Sequence, residues 1–236
     1  MGLLFETRTS ASPWVSTVWT CRSAQVSEMT SVASETWGLV LWEERGSAHA
    51  AVVGPESRTA RAPVPQDASF VGIQFAVGAS LRMSDMVSLV DGGIALPDAR
   101  PRSFWLDGRR WPTPRVDDAE LLVDRLVRHE VLVRDPVVSE MLRGRRSNVS
   151  PRTVERRFRA ATGMTRGSIA QIERARAAAE LLTAGATAGE VVERLDFYDE
   201  PHLARALRRY IGRSAQQLRS GSVGTIALDP DHRTTS

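Results

Sequence analysis

Apolar residues come in short runs along the first half of the chain and recur every third or fourth position along the second. "PWVSTVWT" (13–20), "WGLVLW" (37–42), "HAAVV" (49–53) and "SFVGIQFAV" (69–77) are rich in valine, tryptophan and phenylalanine. Clusters of Gly, Pro, Ser and Asp separate them. Such runs predict β-strands, and several at this spacing predict a small antiparallel barrel or sandwich. "LRMSDMVSLV" (81–90) can form a helix packed on it. "LPDARPRSFWLDGRRWPTPRVDD" (96–118) lacks helical periodicity and is expected to carry the chain into the second half, with a domain boundary near 112–117.

From Asp117 the period becomes helical. In "DDAELLVDRLVRHEVL", Ala119, Leu122, Val123, Leu126 and Val127 share one face. "DPVVSEMLRG" offers Asp135 as N-cap, Pro136 at the first helical position and Gly144 as the stop. "SPRTVERRF" starts the same way, with Ser150 and Pro151. A long alanine-rich helix follows from about Thr165 to Thr183, with Ile169, Ile172, Ala175, Ala179 and Leu182 along one stripe and Gly185 beyond its end. "TAGEVVERL" opens on a capping box, Thr187 to Glu190. "DEPHLARALRRYIG" has Asp199 as N-cap and Gly212 at its end, and "SAQQLRS" is a short last helix. The tail, 221–236, has no periodicity and is expected to be flexible.

Two of these helices carry the same design. At 100° per residue, Val154, Phe158 and Ala161 form a buried face in the first. Arg152, Arg156 and Arg159 point outward, Thr153 and Glu155 flank them, and Arg157 lies beside the apolar stripe. In the second, Leu203, Leu207 and Tyr210 are the buried set. Arg205, Arg208 and Arg209 face out, with His202 at the edge. Each follows a shorter capped helix across a turn, the order of a helix-turn-helix whose second helix can lie in a major groove. The connecting helix would be about 28 Å long at 1.5 Å per residue. That is close to the roughly 34 Å repeat of a DNA turn.

Charge sharpens this pattern. All 31 basic residues are arginines, so Walker-type, kinase and pyridoxal-phosphate chemistries, which need a lysine, are excluded. A GC-rich genome accounts for the bias itself. Residues 1–116 balance 11 arginines against 11 acids, whereas 143–166 hold eight arginines and one acid, Glu155. Residues 205–219 hold five arginines and no acid. Two basic blocks about 40 residues apart are the footprint of two contacts on a polyanion.

The remaining chemistry is sparse. Cys21 is the only cysteine, so no intrachain disulfide or cysteine-rich zinc site is available. That fits a cytoplasmic location, and neither a signal peptide nor a membrane span is expected. His49, His129 and His232 lack partners at ligand spacing, and no G-x-S-x-G or general-base set occurs, so neither metal, cofactor nor catalysis is expected. All six tryptophans lie in residues 1–111. They could line a ligand pocket or fill a core and its interface.

"SNVSPRTVERRFRAATGMT", "ERARAAAELLTAG" and "EVVERLDFYDEPHLARALRRYIGRSAQQLR" together resemble the DNA-binding domain of AraC-type transcriptional regulators. The signature positions are Ser150, Val154, Arg156, Phe158 and Gly163 in the first unit, and Phe197, Asp199, His202, Arg205 and Gly212 in the second. The resemblance implies DNA contacts by Arg152, Thr153, Glu155 and Arg156, and by Glu200, His202, Arg205 and Arg209. The wheel adds Arg159. It also implies an α+β chain. "VVGPESRTA" (52–60) and "FVGIQFAVGASL" (70–81) resemble the small β-rich domain of one branch of the family, so a cupin-like sensor or dimerisation domain (1–116) would precede an all-α domain (117–220) with two helix-turn-helix units joined by a long helix. Double-stranded DNA is the expected partner, with RNA polymerase, a small-molecule effector and a second copy as further candidates. The sequence departs from the family pattern in a longer first turn, "GRRSNV", in Asn148 and Asp196 where glycine is common, and in Ala215 for a frequent proline. The competing expectation is a ligand-binding or catalytic barrel with a helical partner-binding appendage.

Overall fold

The computed structural model describes residues 3–24, 28–145, 149–221 and 226–227. The first half forms β1 (Leu3–Thr9), β2 (Val15–Ser23), β3 (Glu28–Ser31), β4 (Gly38–Glu44), β5 (Ser47–Val53), β6 (Arg61–Pro63), β7 (Ala68–Phe75) and β8 (Ala79–Leu81). A one-turn helix α1 (Met86–Leu89), β9 (Gly93–Ala95), β10 (Ser103–Leu106) and β11 (Arg109–Pro112) follow. Then come α2 (Ala119–Arg128), β12 (Leu132–Arg134), α3 (Pro136–Leu142), α4 (Pro151–Thr162), α5 (Arg166–Thr183), α6 (Ala188–Arg194), α7 (Glu200–Tyr210), α8 (Ala215–Arg219) and β13 (Ile226–Ala227).

A six-stranded antiparallel sheet, ordered β1-β2-β7-β4-β5-β9, dominates the first half. Alternation sends Leu39, Leu41, Ala50, Val52, Ile73 and Phe75 into one core. Two tight turns set register: Arg45–Gly46 between β4 and β5, and Asp107–Gly108 between β10 and β11, all four residues at positive φ. That is the left-handed pair a two-residue hairpin requires. On the opposite face Trp19 lies directly over Gly72, where a Cβ would come within 1.9 Å of the indole.

The core of the sheet extends past residue 117 into α2. Ala119, Leu122, Val123 and Leu126 of α2, with Val131 and Leu132, are buried in the same cluster as the sheet. Arg8 on β1 fastens α2 through paired bonds of 2.7 Å to both carboxylate oxygens of Glu120. That partner holds the Glu120 carboxyl down at about 2. β12 then pairs with β8. A helix that follows the sheet closely in sequence can bury its apolar stripe on it, and here that contact outweighs continuity with the later helices.

The second cluster joins α3 to α8 around Val138, Phe158, Ile172, Leu182, Val191, Leu203 and Leu207. It also takes in Val32 and Ala33 from the first half. Of the tail, only Gly221 and the two residues of β13 are described, the latter paired parallel to Thr30 and Ser31. His232 lies outside the described residues. No helix among the described residues is long and apolar enough to cross a membrane.

Candidate nucleic-acid interface

The local chemistry that starts α4 and α7 is the chemistry their sequences announce. The Ser150 hydroxyl accepts from the Thr153 amide at 3.3 Å, and Pro151 occupies the first turn of α4. Asp199 accepts from the His202 amide at 2.6 Å, and Pro201 sits in the first turn of α7. Each cap contributes about 1 kcal/mol. α3 is capped by Asp135, which accepts from Val137 and Val138, and α6 by the reciprocal Thr187–Glu190 box. Gly163 ends α4 in the left-handed region at φ 80°.

The burial pattern sorts the side chains of both helices. On α4, Phe158 and Ala161 are buried and Val154 is half-buried. Arg152, Arg156 and Arg159 are exposed, while Thr153 and Glu155 are half-buried on the flanks. Arg157 belongs to the fold: it reaches Asp135 at 3.4 Å and ties α4 to the cap of α3. On α7, Leu203, Leu207 and Tyr210 are buried, Glu200, Arg205, Arg208 and Arg209 are exposed, and His202 is half-buried. Among the described residues, Arg152, Arg156, Arg159, Arg205 and Arg208 form no ion pair. Their charge is therefore available to a polyanion. Asn148, in the long first turn, lies outside the described residues.

The second turn is braced by a stack that sequence reasoning did not anticipate. The Arg174 guanidinium on α5 lies 4.6 Å from the centre of the Phe197 ring, and His202 meets the same ring edge-on at 5.4 Å. Asp196 takes the left-handed conformation at φ 53° that glycine would supply. The Tyr198 amide donates to His202 Nδ1 at 3.4 Å. With Nδ1 accepting, Nε2 is the ring nitrogen left to donate. Tyr198 itself is 90% exposed just ahead of α7 and was not among the expected contacts. Its signal was there to read, an aromatic residue beside an N-cap on a polar face.

The tryptophans mostly serve packing. Trp37 and Trp111 are buried and donate to the carbonyls of Ala79 and Leu106. Trp14 lies beneath Arg134, and Trp105 beneath Arg110. Trp42 stacks on His49 at 4.9 Å and lines a cavity of about 200 Å³ with Leu41, Glu43, Val71, Arg100 and Phe104.

Two capped short helices are each followed across a turn by an arginine-faced helix, the element order of a helix-turn-helix. Residues 144–221 match the family described as helix-turn-helix domain. The matched segment spans α4 to α8 and therefore contains both arginine-faced helices. A comparison with curated protein sequences gives no match. Among solved structures, ToxT from Vibrio cholerae is similar at 6% identity and a TM-score of 0.37, covering 91% of this chain and 97% of its own.

Proposed function

We propose that the protein regulates transcription by binding double-stranded DNA sequence-specifically, with α4 and α7 entering successive major grooves. The observation that carries this reading is the pair of exposed arginine faces that form no ion pair among the described residues, on helices separated by an α5 of 18 residues. Phosphate contacts would supply most of the affinity and fix the register. Arg152, Arg156 and Arg205 would read base edges, since a guanidinium fork matches guanine O6 and N7. Glu155 and Glu200 can accept from cytosine N4, and His202 can donate through Nε2. Thr153, Arg159 and Arg209 complete the contact surface. We take residues 1–116 as the β-rich part and 117–220 as the DNA-binding part, with α2 of the latter packed on the sheet of the former. An effector, if the protein takes one, would enter the cavity beside Trp42.

The test is fluorescence anisotropy of the full chain on duplexes enriched from a random pool. Affinity should fall by at least about tenfold between about 50 and 200 mM salt, as release of several counterions requires. Absence of salt-sensitive binding would leave the ligand-binding barrel with a helical appendage as the better reading.

A further inference from the structure

The relative placement of the two arginine-faced helices does not run through α5 alone. α7 packs on α5 and α6, whereas α4 touches α1 and α3 more than it touches α5, and also meets β8. α1 and β8 belong to the β-rich half. At the end of α4, a Cβ on Gly163 would lie 2.6 Å from the Met86 carbonyl oxygen of α1 and 2.7 Å from a Val90 methyl. At the end of α7, the Arg209 and Tyr210 carbonyls accept from the amides of Thr59 and Ala33 at 2.9 and 2.8 Å. These two donors also come from the β-rich half. Midway along α5, Arg176 grips both carboxylate oxygens of Glu35 at 3.1 and 3.0 Å, and the two side chains are only 16% and 10% exposed. The C-terminal ends of both recognition helices are thus fastened to one body, and their N-terminal ends are left to meet DNA.

We propose that the β-rich half sets the spacing and angle of the two recognition helices, and that Glu35 is a positioning residue for bipartite DNA recognition. A near-buried bidentate pair is directional, so it holds α5 in one orientation against the segment between β3 and β4. The same half of the chain holds α4 through α1 and β8. An extra base pair between half-sites turns one against the other by roughly a tenth of a DNA turn. A rigid protein cannot follow that rotation, and a loosened one can.

This inference rests on the DNA-binding reading. The experiment uses the full chain and two duplexes: the enriched bipartite site, and the same site with one base pair inserted at its centre. The wild type should prefer the uninserted duplex by about tenfold, the scale of a poor site. E35Q should bring that ratio close to one. A second variant, Glu35→Met with Arg176→Met, removes the pair while keeping apolar volume and should fold where an unpaired arginine does not. It should relax the ratio in the same way. Thermal melting identifies which variants are folded. A wild type indifferent to the insertion, or a folded variant that keeps the wild-type ratio, overturns the proposal. Loss of stability alone would not move the ratio. Absence of salt-sensitive binding in the wild type sinks the DNA reading itself, whereas retained binding with an unchanged ratio sinks only the role of Glu35.

Discussion

Glu56 is set to make the protein less stable as pH rises through neutrality. Its backbone exchanges both hydrogen bonds with Ser34, at 2.8 and 2.9 Å, in the stretch that leads to Thr59 and the end of α7. Burial pushes its carboxyl up from 4.5 to about 7, a Ser31 hydrogen bond works against that rise, and the Asp91 carboxylate adds to it. Between those two values the folded chain holds a proton that the unfolded chain has released. Stability from this group is therefore complete below 4.5 and is lost as pH climbs to about 7. At 1.36 kcal/mol per unit, the full shift sets a ceiling of about 3 kcal/mol, and relaxation around a partly exposed group lowers it to about 1–2 kcal/mol. Glu56→Gln keeps the shape and polarity of the protonated acid without its titration. Urea denaturation of both proteins at intervals from pH 4 to pH 8 should give nearly equal stabilities at the acid end. The variant should be the more stable by about 1–2 kcal/mol at the alkaline end. A difference that stays flat with pH would refute the assignment of the burial cost to Glu56.

Three further outcomes follow from single contacts. Glu120→Gln should destabilise the protein by about 1 kcal/mol at neutral pH, the value expected for a partly exposed bidentate pair with Arg8. Because the native carboxyl is held at about 2, that loss should shrink as pH falls from 4.5 towards 2, which acid titration of unfolding would reveal. Gly163→Ala combines a positive φ with a Cβ 2.6 Å from a backbone oxygen, so it should cost about 2 kcal/mol or more and lower the melting temperature by several degrees. Arg156→Ala should cost about 1–3 kcal/mol on an enriched site in a mobility-shift titration, with a smaller loss on random duplex. Equal binding by mutant and wild type on both duplexes would remove Arg156 from the interface.

Helical periodicity and end chemistry are local, and they were legible. The wheel placed Phe158 and Ala161 inside and Arg152, Arg156 and Arg159 outside, which is how α4 sits. The caps at Asp135, Ser150, Thr187 and Asp199 are all formed. The four apolar runs fall on β2, β4, β5 and β7. Strands with few such residues escaped: β1 is mostly polar and exposed, and β3 and β6 are only four and three residues long. The β10–β11 hairpin also escaped, although its Asp107–Gly108 turn is a recognisable signal. In α2 the apolar stripe was legible, and the sheet is the surface that buries it. A stripe reports that a face is buried and not which surface buries it.

The same limit explains why the candidate DNA surface was legible and its positioning was not. Residues that face a groove are those the fold leaves unused, so they declare themselves on one helix as charge opposite an apolar stripe. The contacts that aim the two helices join residues far apart in the chain: Glu35 to Arg176 across 141 positions, Ala33 to Tyr210, Thr59 to Arg209. The two amides are backbone donors that any residue except proline could supply, so side-chain identity leaves no trace of them. Only Glu35 carries a chemical mark, and in a half with 11 acids against 11 arginines that mark is invisible until the fold brings Arg176 to it. On the proposed reading, specificity is divided between residues that touch DNA and residues that hold them apart, and a substitution among the second group should alter which spacing is bound before it alters how tightly.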